Sequence, residues 1–294
     1  MISSAQIKFI RSLQQKKFRR LHAAFVAEGE KIVDELIDSD LDLECLCGLE
    51  EWFAANRHRL PKDLQTIVVS PAELDRISEL SSPNKVLAVV RTPKWQWTPA
   101  DLESGLALVL DGIQDPGNLG TILRTADWFG IRHVFCSPDT AEALNPKVVQ
   151  ASMGSFIRVR VHYTDLVSLL EQAADTVQTY GASLDGEALY KCPVEHPALL
   201  VIGNESRGIS KELLPLLKRR VTIPGMVAGQ DSSLRKSSAT GGSGVLGKSG
   251  VLDKSPGKDG AESLNASVAA GILMAWFSRS GSGSPPAPPP LEVG

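Results

Sequence analysis

The stretch "LALVLDGIQDPGNLGTILRTADWFGI", residues 106–131, decides the fold. Residues 106–113 are an almost continuous apolar run, the pattern of a strand buried on both faces. The run gives way to Asp111, Pro116, Gly117, Asn118 and Gly120, a loop composition, and then to "GTILRTADWFG", whose apolar residues recur at helical spacing. A buried strand, a short turn and a helix make the repeating unit of an α/β protein with a parallel sheet.

The pattern continues downstream. "HVFCSPD", "IRVRVHY", "QTYGASLD", "ALLVIGNES" and "RRVTIPG" read as strands, and "NPKVVQASMG", "TDLVSLLEQAA" and "SKELLPLLK" as the helices between them. The expected fold class is therefore α/β, with a mostly parallel sheet covered on both sides. Residues 226–260 carry Gly, Ser, Lys and Asp with little to bury and read as a flexible insertion. Residues 280–294 form a Pro-rich tail of low complexity, expected to be disordered or extended.

Upstream lies a second, smaller α/β unit. "IKFIRSLQQKKFRR" has apolar Ile7, Ile10, Leu13 and Phe18 amid basic residues, as one amphipathic helix would. "AFVAEGEKIVDELID" reads as strand, Gly turn and helix, and "LECLCG", "QTIVVS" and "NKVLAVVRTP" as further strands. The expected boundaries are 1–95 for this unit, 96–104 for a linker and 105–279 for the larger unit. The linker region carries Trp95 and Trp97, both of which read as exposed.

Bulk composition excludes little. The chain has 294 residues, 43% hydrophobic and 22% charged, with net charge −3, an ordinary globular balance. Charge distribution says more. Lys8, Arg11, Lys16, Lys17, Arg19 and Arg20 precede the first acidic residue, Glu28. Such a stripe neutralises phosphates in nucleic-acid binders, and a solvated helix face has the same look. Cys45, Cys47, Cys136 and Cys192 form no CxxC pair, and the five histidines show no ligand spacing. No metal site and no disulfide framework are expected, and a reducing cytoplasm fits. No apolar run reaches membrane-spanning length, so no membrane partner is expected. No G-x-G-x-x-G follows the first strand of either unit, which disfavours a nicotinamide-dependent enzyme. "GVLGKSG" lacks the context of a phosphate loop.

Three polar clusters fall at predicted strand ends. Asn118, Gly120 and Arg124 follow the first strand; a helix start with glycines there can hold an anion, and a tight turn with an ion-paired Arg reads equally well. "LLVIGNESRGIS", residues 199–210, ends a buried strand in Gly203, Asn204 and Glu205, where α/β folds bind ligands. A plain loop acid is the other reading. "VTIPG", residues 221–225, and "ESLNASVAAG", residues 262–271, become neighbours if 226–260 loops out. Ser263 and Asn265 then stand at a helix start, as caps or as parts of a pocket wall.

In this order the clusters resemble the three motifs of the SpoU-type RNA ribose 2′-O-methyltransferases of the SPOUT superfamily. "NLGTILRTADWFGI" resembles motif one, "VIGNESRGIS" motif two, and "TIP" with "ESLNASVAAGI" motif three; "NPKVVQASMGSFIRV" resembles the segment between motifs one and two. Residues 1–95 more loosely resemble the family's L30e-like substrate-binding domain. The resemblance implies a C-terminal trefoil knot, S-adenosyl-L-methionine as cofactor, structured RNA as substrate (rRNA favoured over tRNA) and a homodimer whose site draws on both subunits. It implies that Arg124, Asn118, Glu205, Asn265 and Ser263 serve methyl transfer, with Arg124 activating the hydroxyl. Leu200, Ile202, Gly203, Asn204, Gly208, Ile223, Pro224 and Leu264 would hold the cofactor. Besides the Pro-rich end, which replaces the usual short finish after the last helix, the sequence departs from the family in the long tract between Pro224 and Ser263. It carries Arg235, Lys236, Lys248, Lys254 and Lys258 and reads as a tolerated insertion, an RNA-contacting arm or a disturbance of cofactor binding. The intact "ESLNASVAAGI" beyond it favours tolerance. The alternative function is a non-catalytic RNA-binding protein on the same scaffold.

Overall fold

In a computed structural model, which describes residues 2–103, 105–225 and 263–279, the 106–111 run forms the middle of a six-stranded sheet. The expected insertion and tail therefore lie outside the described residues. So does the route through 226–262 on which the expected knot depends.

The N-terminal elements are α1 (Ser4–Ser12), α2 (Lys16–His22), β1 (Ala24–Glu28), α3 (Glu30–Ile37), β2 (Leu43–Gly48), α4 (Glu50–Asn56), β3 (Gln65–Val68), α5 (Pro71–Ile77) and β4 (Val86–Arg91). Their sheet runs β1-β4-β2-β3, with β4 antiparallel to both neighbours and β2 parallel to β3. Side chains alternate between faces. Val26, Cys45, Cys47, Leu87 and Val89 pack toward α1 and α5. Phe25, Leu46, Val86, Ala88 and Val90 pack toward α3 and α4.

The C-terminal elements are α6 (Pro99–Leu102), β5 (Leu106–Asp111), α7 (Pro116–Trp128), β6 (His133–Cys136), α8 (Pro146–Ser152), β7 (Arg160–Tyr163), α9 (Leu166–Ala173), β8 (Gln178–Ala188), β9 (Ala198–Gly203), β10 (Arg219–Thr222) and α10 (Ala266–Arg279). The order is β10-β8-β9-β5-β6-β7, and every pairing is parallel. Leu108, Leu110, Leu200 and Ile202 face α7, α8 and α10 on one side. Ala107, Val109, Leu199 and Val201 face α9 on the other. The covered parallel sheet read from the sequence is thus present. From β5 the chain winds outward to β6 and β7, then returns to the far side for β8 and β9. The β5–β9 boundary is accordingly the switch point at which α/β sheets hold ligands.

The two sheets share a core. Val149 and Phe156 of the second unit pack into the α3–α4 side of the first, and the Phe25 and Phe156 rings meet edge-on at 5.6 Å. Arg158 bridges Asp127 and Glu35, each at 2.7 Å.

Several expectations need correction. The single helix expected over "IKFIRSLQQKKFRR" is two helices. The break is satisfied by Arg19, whose Nη1 donates to the Leu13 and Gln14 carbonyls at 2.9 and 2.7 Å, groups that a helix end leaves without partners. Arg19 is 3% exposed and ion-paired to Glu142 at 2.6 Å, so it leaves the basic stripe and joins the core. "SKELLPLLK" forms turns and one short 3-10 turn, Leu214–Leu216, because Pro215 lacks the N–H and crowds the preceding turn. Trp97 is half-buried, its ring edge-on to Phe135 at 5.2 Å, and Trp95 is half-buried as well.

Candidate active site

The helix after β5 begins at Pro116, so Gly117, Asn118 and Gly120 belong to α7 itself. Asp115 caps it, accepting the Asn118 N–H at 2.7 Å. That carboxylate meets the helix N-terminus, so the anion-holding reading of this turn has no support here. Gly120 has a different task from the expected approach to a ligand. It is buried at the α7–α8 crossing, where an added Cβ would stand 2.5 Å from the Ala151 Cβ.

β9 runs beside β5 with Gly203 opposite Asp111. Beyond Gly203 the chain turns back on itself. Asn204 and Gly208 exchange backbone hydrogen bonds at 3.0 and 2.9 Å, and Gly208 has a positive φ of 68°. A Cβ at Gly203 would lie 2.2 Å from the Gly208 carbonyl carbon. The Asn204 amide donates to the Gly112 carbonyl at 2.8 Å, and its oxygen accepts the N–H groups of Ser206 and Arg207. Asn204 therefore shapes the loop and ties it to the end of β5. Asp111 does the same from the other side, accepting the Ser210 N–H at 2.7 Å.

The tight loop aims Glu205 at α7. Asn118 Nδ2 donates to Glu205 Oε1 at 2.7 Å, and Asn118 Oδ1 accepts from Asn265 Nδ2 at 2.9 Å. Asn265 also caps α10, its Oδ1 accepting from Ser267 and Val268 backbone N–H groups. It is a cap and a tie at once. One residue from each of the three clusters thus joins a single chain of hydrogen bonds.

Beside that chain lies a cleft of about 760 Å³, within the usual range for small-molecule sites. Ile202, Gly203, Asn204, Glu205 and Gly208 line one side, and Ile223, Pro224, Ser263 and Leu264 another. Leu200 lies deeper in β9, fully buried, and does not reach the cleft. Leu184, 78% exposed, and Asp185 on β8 complete a wall that sequence reading did not anticipate. The signal was available: β8 neighbours β9 in a parallel sheet, and its carboxyl end belongs at the same edge. The cleft joins apolar surface to convergent polar groups, which suits a ligand with one flat apolar part and one charged part.

Arg124 stands apart from the Asn118 chain. It is exposed, six residues or about 9 Å farther along α7. Among the described residues no hydrogen bond or ion pair holds its guanidinium. Its exposed neighbours on that helix are Thr121 and Trp128.

Comparison with known proteins agrees with this geometry. Residues 105–241 match the SpoU rRNA Methylase family, and residues 4–88 match the MRM3-like substrate binding domain. The chain is 30% identical over 241 residues to the 23S rRNA (guanosine(2553)-2′-O)-methyltransferase RlmP of Bacillus subtilis (strain 168), covering 80% of this chain and 92% of the relative. This chain belongs to the SpoU rRNA methylase family. Among solved structures, a TrmH-family protein from Porphyromonas gingivalis superposes with TM-score 0.76 at 36% identity, covering 96% of this chain and all of the other. The SpoU methyltransferase AviRb from Streptomyces viridochromogenes, in complex with the cofactor AdoMet, shares the fold with TM-score 0.72 at 22% identity, covering 94% of this chain and 98% of that one.

Proposed function

We propose that the protein transfers a methyl group from S-adenosyl-L-methionine to a ribose 2′-hydroxyl of ribosomal RNA. The observation that carries this reading is the meeting of Asn118, Glu205 and Asn265, from three distant stretches, beside one cleft. The B. subtilis relative acts on 23S rRNA, which favours rRNA as the substrate class.

The residues present fit the cofactor. Ile202, Ile223 and Leu264 offer apolar surface for an adenine, and the Gly203–Gly208 loop with Ser263 offers polar partners for the amino-acid end. When bound, the cofactor supplies an electrophilic methyl on a sulfonium. The protein's own task is to align a weakly acidic hydroxyl and stabilise it as charge develops. A guanidinium stays protonated, so Arg124 serves by stabilising the alkoxide and anchoring an RNA phosphate. Asn118 has both ends of its amide engaged and acts as a positioning residue between Glu205 and Asn265.

Arg124 reaches a site from a second subunit in this reading. Val268 and Ile272 on α10 are 50% and 40% exposed and lie one turn apart, and Trp128 on α7 is 60% exposed. Gly271 and Thr125 bring the two helices together. A homodimer covering this face would bury the apolar stripe and carry Arg124 to the partner's cleft. The four cysteines are unpaired, in keeping with a reducing cytoplasm. No helix among the described residues is long and apolar enough to cross a membrane.

The test is calorimetric titration with S-adenosyl-L-methionine, followed by mass mapping of ribose methylation in rRNA from cells lacking the protein. Binding near one cofactor per subunit, with one 2′-O-methyl missing from the rRNA, is expected. Absence of cofactor binding would reduce the chain to an RNA-binding module.

A further inference from the structure

A second cavity, of about 330 Å³, opens where α2, the segment after β4 and the edge strand β7 meet. Lys16, Arg20, Pro93, Trp95, Glu142 and Tyr163 line it. Tyr163 ends β7 with 43% of its surface exposed, yet its hydroxyl is pinned. It accepts the Ala143 N–H at 2.7 Å and donates to the Ala141 carbonyl at 2.5 Å. The ring is a fixed plate facing the cavity, so little further side-chain entropy is lost when a ligand stacks on it. Lys16 and Arg20 are exposed, four residues apart on one face of α2, and make no ion pair among the described residues. Glu142 would repel an anion, but the buried Arg19 guanidinium grips both of its oxygens, at 2.6 and 3.4 Å. What remains is two aromatic residues beside two free cations, the chemistry that receives an unstacked base and its phosphate.

We infer that this cavity takes one unstacked nucleotide of the RNA substrate, its base against Tyr163 and Trp95 and its phosphate at Lys16 and Arg20. The inference rests on the RNA reading above and adds a docking point to it. β7 lies three strands from β9, about 14 Å of sheet width. Both Tyr163 and the cleft stand at the carboxyl edge of the sheet. A nucleotide held here fixes which ribose can reach the cleft, and so contributes to site selection.

The probe is a fluorescein-labelled single-stranded RNA of ten adenosines, followed by anisotropy with the full chain. Trp95→Ala and the surface pair Lys16→Ala/Arg20→Ala should each weaken binding about tenfold, and the pair should lower the salt slope by about 2. Trp95→Phe should retain most of the affinity, and Arg57→Ala, an exposed cation elsewhere, should retain all of it. Loss on the cavity variants in a protein that transfers no methyl would support the cavity and sink only the methyltransferase reading. Normal methyl transfer with wild-type affinity in the cavity variants would overturn the cavity. So would equal loss from Arg57→Ala, or no binding by the wild type.

Discussion

Asn118 and Asn265 lie 147 residues apart in the chain and share a 2.9 Å hydrogen bond, while the other end of the Asn118 amide holds Glu205 at 2.7 Å. One planar group therefore sets the spacing between the loop after β9 and the start of α10. Asn118→Ala is expected to lower kcat for methyl transfer by about 100-fold, because Glu205 and Asn265 lose the group that spaces them and a small misplacement costs that much. Asn118 is not among the residues lining the proposed cofactor cleft, so cofactor affinity should change less than threefold. Radiolabelled methyl incorporation and calorimetry separate the two. A large loss of cofactor affinity with kcat intact would contradict the assignment.

Arg124 shares its exposed face of α7 with Trp128 rather than with Asn118. If it works in the partner's cleft, Arg124→Ala and Asn118→Ala are defects in different halves of one composite site. Each variant alone should be nearly inactive. Subunits unfolded, mixed in equal amounts and refolded should recover about a quarter of wild-type activity, since random pairing gives half heterodimers with one intact site of two. No recovery would place Arg124 in its own subunit's site.

Gly203 touches backbone where any other residue would need a side chain. The 2.2 Å approach of an added Cβ to the Gly208 carbonyl carbon leaves no flexible atom to yield. Gly203→Ala should open the Asn204–Gly208 turn, cost about 1–3 kcal/mol of stability and weaken S-adenosyl-L-methionine at least tenfold. Chemical denaturation and the same calorimetry read both effects.

The parallel sheet was legible because β5 and β9 are buried on both faces, and continuous runs such as "LALVLD" and "ALLVIG" have few other uses. The Asn118–Asn265 contact was not legible from spacing or periodicity, because those patterns carry no information about which strand end faces which helix start. The motif resemblance named both residues without saying that they touch. Leu184 was hidden for a related reason. Leu184 and Asp185 fall inside the strand read from "QTYGASLD", but its extension to Ala188 comes from pairing with β10, and only that sheet order brings the pair to the cleft. Arg19 was misread because charge patterning treats every arginine in a basic stretch as solvated. Only the fold shows that one of them closes a helix end and answers Glu142 across the two units.

That ion pair makes a stability prediction. The Arg19 side chain is 4% exposed and cannot turn to water when its partner is lost, and Glu142, 18% exposed, is only partly hydrated. Arg19→Ala removes the charge partner and both carbonyl caps at once, and should destabilise the protein by about 3 kcal/mol. Glu142→Gln keeps a hydrogen-bond acceptor and should cost less. Urea unfolding of the two variants tests the order. Equal small losses would mean that water replaces the pair.

A second buried pair gives a pH dependence. His133 Nδ1 and His162 Nε2 stand 3.3 Å apart, their rings stacked at 5.4 Å between β6 and β7, with Phe135 against both. Burial, helped by the neighbouring His133, holds His162 down to about 4 from the ordinary 6.5. Burial also lowers His133, against the pull of Asp101, 3.6 Å from its Nε2, and with help from Arg160 and Arg132. The unfolded chain takes up a proton on His162 near pH 6.5 that the folded chain refuses until about pH 4, and His133 is shifted in the same direction. The stability these neutral rings provide is therefore complete above about pH 6.5 and is lost as pH falls through that window. Melting temperature should drop steeply from pH 6.5 to 4 in the wild type and less steeply in His162→Phe, which keeps the aromatic stack and cannot take a proton. Parallel curves for the two proteins would show that the acid sensitivity arises elsewhere.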